Sequence, residues 1–131
     1  MALQTVPVAA FIPTLSLAAP GALYEQIMAG VHAAVANGQL QPGAALPSVR
    51  QLAAETRVSV ITVKRAYEEL EREGILYSRP GLGSFISDAA VECTRKTHRA
   101  RAEALLTDAR LEAERAGLKP SEIRALFLKH L

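Results

Sequence analysis

Two short helical patterns joined by a tight turn and followed at once by a glycine-tipped hairpin constrain this 131-residue chain more than any other feature. Ser48 opens the first pattern. Its hydroxyl can accept the Gln51 amide while the Gln51 side chain reaches back to the Ser48 amide, a capping box. Val49, Leu52 and Ala53 then face inward, and Thr56-Arg57-Val58 makes the turn with Val58 tucked into the core. Ser59 caps the next helix, whose Val63, Ala66, Tyr67 and Leu70 form a buried stripe and whose end is Gly74. Ile75-Leu76-Tyr77-Ser78 and Ser84-Phe85-Ile86-Ser87 flank Arg79-Pro80-Gly81-Leu82-Gly83, a hairpin with a loop of about five residues.

The rest of the chain arranges itself around this unit. Residues 1–21 are an apolar arm; Thr14-Leu15-Ser16-Leu17 predicts a short strand or an extended packing segment. The arm lacks the basic start of a secretory signal, and Pro7 and Pro13 interrupt it. Leu23, Ile27, Val31 and Ala34/Val35 predict a helix over 22–37, ended by Asn37-Gly38. Gln39 to Leu46 is a connector with a Pro42-Gly43 turn. Asp88 caps a long helix reaching about Ala116, and residues 121–131 make a last helix after Gly117. The expected domains are therefore the arm at 1–21, a compact unit at 22–87 and a helical hairpin at 88–131. A hairpin this small cannot bury both apolar faces alone. Its Leu105, Leu106, Ala109, Ala113, Ile123, Leu126 and Phe127 are expected to pack on the N-terminal domain or, in preference, on a second copy of the chain. The lone Cys93 excludes an intramolecular disulfide and fits a reducing compartment, so a cytoplasmic location is expected. No apolar run is long enough to cross a bilayer.

The formal charge is only +2, but all 15 Lys and Arg lie from Arg50 onward, and Glu25 is the single charge before it. Attraction to phosphate therefore belongs to the second part of the chain. The exposed start of the helix after the turn carries Val60, Ile61, Thr62, Lys64 and Arg65. A helix so placed can enter a major groove, where Thr62 and Lys64 offer hydrogen bonds and one of the two apolar residues can meet a thymine methyl. The hairpin glycines allow close approach of backbone amides to phosphate. Duplex DNA is the expected partner. The candidate contacts are Ser48, Arg50, Arg57, Ser59, Val60, Thr62, Lys64, Arg65, Arg79, Gly81 and Gly83. Glu68, Glu69, Glu71 and Glu73 form a solvated acidic face. Cys93 and His98 are off helical register with each other and His32 and His130 are isolated, so no metal site is expected. No nucleophile–base pairing points to catalysis, and no cofactor is expected.

Several of these motifs together are similar to those of one known family. Leu23-Tyr24-Glu25-Gln26-Ile27, Leu40-Gln41-Pro42-Gly43, Leu46-Pro47-Ser48-Val49-Arg50-Gln51-Leu52-Ala53, Thr62-Val63-Lys64-Arg65-Ala66-Tyr67-Glu68-Glu69-Leu70 and Gly81-Leu82-Gly83-Ser84-Phe85 resemble the winged helix-turn-helix of GntR regulators. The two-helix tail resembles the YtrA-like subfamily, which lacks a large effector domain. The resemblance implies a mainly α fold with a small β-hairpin wing and a C-terminal two-helix dimerisation tail. It implies a homodimeric repressor on an inverted-repeat operator, often of transporter genes, with any small-molecule effector unidentified. It also implies DNA contacts by Arg50, the start of the helix after the turn, Lys64 or Arg65, and Gly81. Many of that family carry arginine where this chain has Val60, which moves base reading toward Arg50, Thr62, Lys64 and Arg65. Some relatives fuse this domain to an aminotransferase-like part, but the roughly 45 residues after the wing are too few for one. The alternative is a winged helix used as a protein-interaction module.

Overall fold

In the computed structural model, described over residues 5–7 and 22–131, the chain runs α1 (Leu23–Ala36), α2 (Val49–Thr56), α3 (Val60–Arg72), β1 (Leu76–Arg79), β2 (Gly83–Ile86), α4 (Ala90–Arg115) and α5 (Pro120–Lys129). The expected strand at 14–17 lies outside the described residues. Two compact units divide the chain, Met1–Arg95 and Lys96–Leu131.

In the first unit α3 packs against α1, α2 and β1. The apolar stripes read from the sequence explain why. Ile27 and Val31 of α1, Leu52 of α2, Val63 and Leu70 of α3, and Ile75 and Ile86 around the hairpin are all fully buried in one core. Tyr67 belongs to the same core and donates its hydroxyl to the Pro47 carbonyl at 2.7 Å. Burial pushes the Tyr67 phenol well above its usual range, so it keeps the proton it donates.

The hairpin pairs Leu76 with Ile86, Tyr77 with Phe85, Ser78 with Ser84 and Arg79 with Gly83. The loop is thus Pro80-Gly81-Leu82, shorter than expected, because Arg79 and Gly83 form the last rung. β2 has a second neighbour. The Ile86 amide donates to Ala44 O at 2.9 Å, and the Leu46 amide donates to Ser84 O at 3.0 Å. The segment read as a plain connector therefore covers the edge of β2, whose buried backbone groups need partners. On its far side the Val6 amide donates to Ala45 O at 3.0 Å, and Val6 packs on the core.

Three local expectations change. Ser48 Oγ does accept the Gln51 amide at 3.1 Å, but the Gln51 side chain donates forward to Glu55 Oε1 at 3.0 Å, so only half of the capping box forms. The long helix starts at Ala90 rather than after an Asp88 cap; the Ser87 hydroxyl turns inward to Gly74 O at 2.5 Å, and the first helical turn hangs from Ala89 O. His32 is not isolated. It is 1% exposed, with Nδ1 3.0 Å from Thr94 Oγ1 and Nε2 2.8 Å from Glu73 Oε2. This network ties α1 to the end of α3 and the start of α4, and it supplies partners to polar groups that burial would otherwise penalise.

The second unit is the later part of α4 and α5. Gly117, at φ 80°, closes α4, and the Leu118 amide returns to Ala113 O at 3.1 Å. Pro120 starts α5, where its missing N–H costs no hydrogen bond, and the Glu122 carboxylate accepts the Lys119 amide at 2.9 Å. Ala113 and Ile123 are its buried apolar residues among those described.

Candidate nucleic-acid interface

The turn between α2 and α3 sets the geometry of the surface. Arg57 takes a left-handed backbone, φ 57°, and caps α2; the Val58 amide bonds to Ala53 O, and the Val58 side chain is buried. A buried residue in the middle of a three-residue turn anchors it, so the following helix leaves in a fixed direction. Ser59 then caps α3, its Oγ accepting the Thr62 amide at 3.2 Å. With Val63, Ala66, Tyr67 and Leu70 inward, the outward stripe of α3 is Ile61, Lys64, Arg65 and Glu68.

Polar groups on this surface are not equally available. Ser59 Oγ and Thr62 Oγ1 lie 2.8 Å apart, and Thr62 is half-buried. Lys64 is exposed, with Glu68 3.9 Å away one turn on, a contact too solvated to hold it. Arg65 leans back over Tyr24 of α1, its guanidinium carbon 3.9 Å from the ring centroid and a guanidinium nitrogen 3.3 Å from the phenol oxygen. Tyr24 was not among the residues singled out from the sequence as contacts. Only its wide separation from Arg65 in the chain hid the pairing. Arg50, in the first turn of α2, and Ser48 before it are exposed.

The wing presents Arg79, Pro80, Gly81, Leu82 and Gly83, all exposed. Gly81 and Gly83 have φ of 74° and 110°, with nothing within 4 Å of an added Cβ, so their shape demands glycine while their surroundings stay open. Tyr77 and Phe85 stack at 5.5 Å across the hairpin, and the Arg79 guanidinium sits 5.5 Å above Tyr77. Beyond Glu68, beside Lys64, the carboxylates of α3 and its C-cap gather at the other end. Glu69 pairs with Arg72, Glu71 approaches Ser78 Oγ at 3.4 Å, and Glu73 holds His32. Cations thus gather at the leading end of α3 and on the wing, which is the arrangement a polyanion needs.

In the second unit Leu105, Leu106 and Leu126 are exposed at 67%, 53% and 39%, and Ala109 is also exposed. Phe127 is half-buried. Leu106, Ala109, Leu126, Phe127, His130 and Leu131 line an open apolar groove of about 370 Å³. Ala113 and Ile123 are already buried. No group of residues suited to a metal ion occurs among the described residues, and no helix there is long and apolar enough to cross a membrane.

Residues 23–86 match the GntR family of bacterial regulatory proteins. The chain is 44% identical over 68 residues to the HTH-type transcriptional repressor YtrA of Bacillus subtilis, covering 52% of each protein. It is 41% identical over 88 residues to the HTH-type transcriptional regulator Rv1152 of Mycobacterium tuberculosis, covering 63% of this chain and 73% of that one. The matched part spans about half the length of YtrA and of the uncharacterized HTH-type transcriptional regulator YhcF of Bacillus subtilis. Among solved structures, a transcriptional regulator from Oenococcus oeni superposes with a TM-score of 0.73 at 26% identity, over 87% of this chain and 94% of that one. The AraR DNA-binding domain in complex with operator ORE1 gives a TM-score of 0.50 at 25% identity, over 56% of this chain and 96% of that one. Motif, fold and exposed basic end agree: the chain belongs to the GntR family of DNA-binding transcriptional regulators and is YtrA-like, a winged helix-turn-helix followed by two C-terminal helices.

Proposed function

We propose that the chain is a homodimeric repressor that recognises an inverted-repeat operator in duplex DNA, with α3 in the major groove and the wing at its flank. One observation carries this reading. The first turn of α2, the leading part of α3 and the wing tip leave Arg50, Lys64, Arg79 and Gly81 exposed, while the carboxylates of α3, from Glu68 on, lie beyond Lys64 toward its other end. Arg50 and Lys64 are the base or phosphate contacts of the α2–α3 surface. Ser48 and Ser59 present helix N-termini to phosphate, and Arg57 and Arg79 neutralise the backbone on either side. Arg65, held on Tyr24, meets phosphate rather than a base. Gly81 and Gly83 let the wing backbone come close to a groove wall.

The dimer reading rests on the tail. Leucines at 105, 106 and 126 that stay exposed around an apolar groove are a surface in want of a partner. A second copy would make the contact symmetric and so match an inverted repeat. Cytoplasmic location and transporter-gene targets follow from the resemblance to YtrA-like regulators.

Selection of bound duplexes from random DNA by the purified chain, near physiological salt, tests the reading. An enriched inverted repeat with salt-sensitive affinity is expected. No enriched motif, together with capture that is indifferent to salt, would refute it and favour a protein-interaction module.

A further inference from the structure

We propose that the leading end of α3 selects thymine through its 5-methyl group, with Ile61 the principal contact and Val60 beside it. This rests on the DNA-binding reading above and adds which base is chosen and by what chemistry. Ile61 is 81% exposed and Val60 47% exposed, at the first two positions of the helix. The first turn of a helix entering the major groove is the part that meets base edges, so these two side chains stand where a base contact is made.

The polar groups of this turn already have partners in the chain. Ser59 Oγ accepts the Thr62 amide and lies 2.8 Å from Thr62 Oγ1, so each hydroxyl already has a partner within the helix end. Arg65, the next cation but one along the outward stripe, is stacked on Tyr24. What projects from the first turn is hydrocarbon. In the major groove thymine alone offers hydrocarbon in return, its C5 methyl. Cytosine at the same place presents an amino group and a bare ring carbon, and an isoleucine pressed there would strip water from the amine without replacing its hydrogen bond. The surface therefore discriminates twice, by favourable contact with thymine and by uncompensated desolvation of cytosine.

The setting favours DNA over an apolar protein partner as the occupant of this tip. Lys64 lies one turn along from both residues, on the same side of the helix, and Arg50 is exposed on the preceding helix. A duplex satisfies the cations with phosphate and the hydrocarbon with methyl groups at once. An apolar protein surface would leave the cations without counterions.

The probe is the duplex that the full chain enriches from a random pool. Each thymine in it is replaced in turn by deoxyuridine, which lacks only the methyl group. Binding should weaken about fourfold at one or two positions in each half-site and be unaffected elsewhere, the factor that corresponds to ~0.8 kcal/mol for one buried methyl or methylene. Ile61→Ala should bind the thymine and deoxyuridine duplexes alike at one of those positions, and Val60→Ala at the other if there are two. Both variants should melt at the wild-type temperature, since neither side chain belongs to the core. Equal binding of thymine and deoxyuridine at every position, or discrimination that survives both substitutions, would overturn the assignment and leave DNA binding intact. Failure to enrich any duplex would overturn the DNA-binding reading itself, and this inference with it.

Discussion

His32→Ala should destabilise the fold strongly. The imidazole is 1% exposed and sits between Thr94 Oγ1 at 3.0 Å and Glu73 Oε2 at 2.8 Å. Its removal has three effects. Thr94, itself 2% exposed, loses this partner, and an unsatisfied buried hydroxyl costs about 1–3 kcal/mol. The vacated space forfeits packing, a further cost of about 2 kcal/mol if the neighbours do not close in. Glu73, whose side chain is 23% exposed, can recover part of its hydration, so its loss is smaller. The sum is about 3–5 kcal/mol, against a typical domain stability of about 5–15 kcal/mol. In urea, with a slope of about 2 kcal/mol per molar, the unfolding midpoint should fall by roughly 2 M. Thr94→Val removes a single hydroxyl and should move it by about half as much or less. Protein concentration must be matched across variants, because association would add to apparent stability. A shift under about 0.5 M for His32→Ala would refute the claim that this network holds the start of α4 to α1 and α3.

Other consequences are smaller and separable. Tyr24→Ala should weaken DNA binding several-fold and Tyr24→Phe much less. A cycle with Arg65→Ala should give a coupling of about 0.5–1 kcal/mol, and additivity would show that the stacking does not position the guanidinium. Gly74→Ala places a Cβ 3.3 Å from Cys93 Sγ at a backbone φ of 84°. It should destabilise by about 1–2 kcal/mol, a melting point lower by several degrees, whereas an unchanged melting point would mean that the α3 terminus relaxes freely. Arg50→Ala should cost about 1–3 kcal/mol of operator affinity if it reads a base, and should weaken all sequences alike while flattening the salt dependence if it meets phosphate. Leu106→Glu combined with Leu126→Glu should yield a monomer by sedimentation while the wing unit stays folded; a persistent dimer would place the interface elsewhere.

The residues show unevenly which parts of the fold can be read without coordinates. Local features were legible because their causes lie within a few positions. The Val63, Ala66, Tyr67 and Leu70 stripe follows from helical period, the Ser48 and Ser59 caps from hydroxyl chemistry, and the glycine ends at Gly38, Gly74 and Gly117 from the positive φ that each adopts. The Gln51 reach-back was plausible but lost to Glu55, four residues on, because a side chain with two nearby partners is decided by rotamer energetics that a motif does not encode.

Distant pairings had no such cue. His32 and Thr94 are 62 residues apart, Arg65 and Tyr24 are 41 apart, and the Ala44–Leu46 segment covers β2 across about forty residues. By itself, then, the sequence determined the helices, the hairpin, the buried stripes and the family, since hydrophobic period and turn chemistry act locally. Only the tertiary structure decided which polar groups are occupied. Ser59 and Thr62 close on each other, Arg65 leans on Tyr24, and Ile61 is left as the foremost side chain of α3. Which groups remain exposed depends on what the chain has already brought together in space, and the order of residues does not record that.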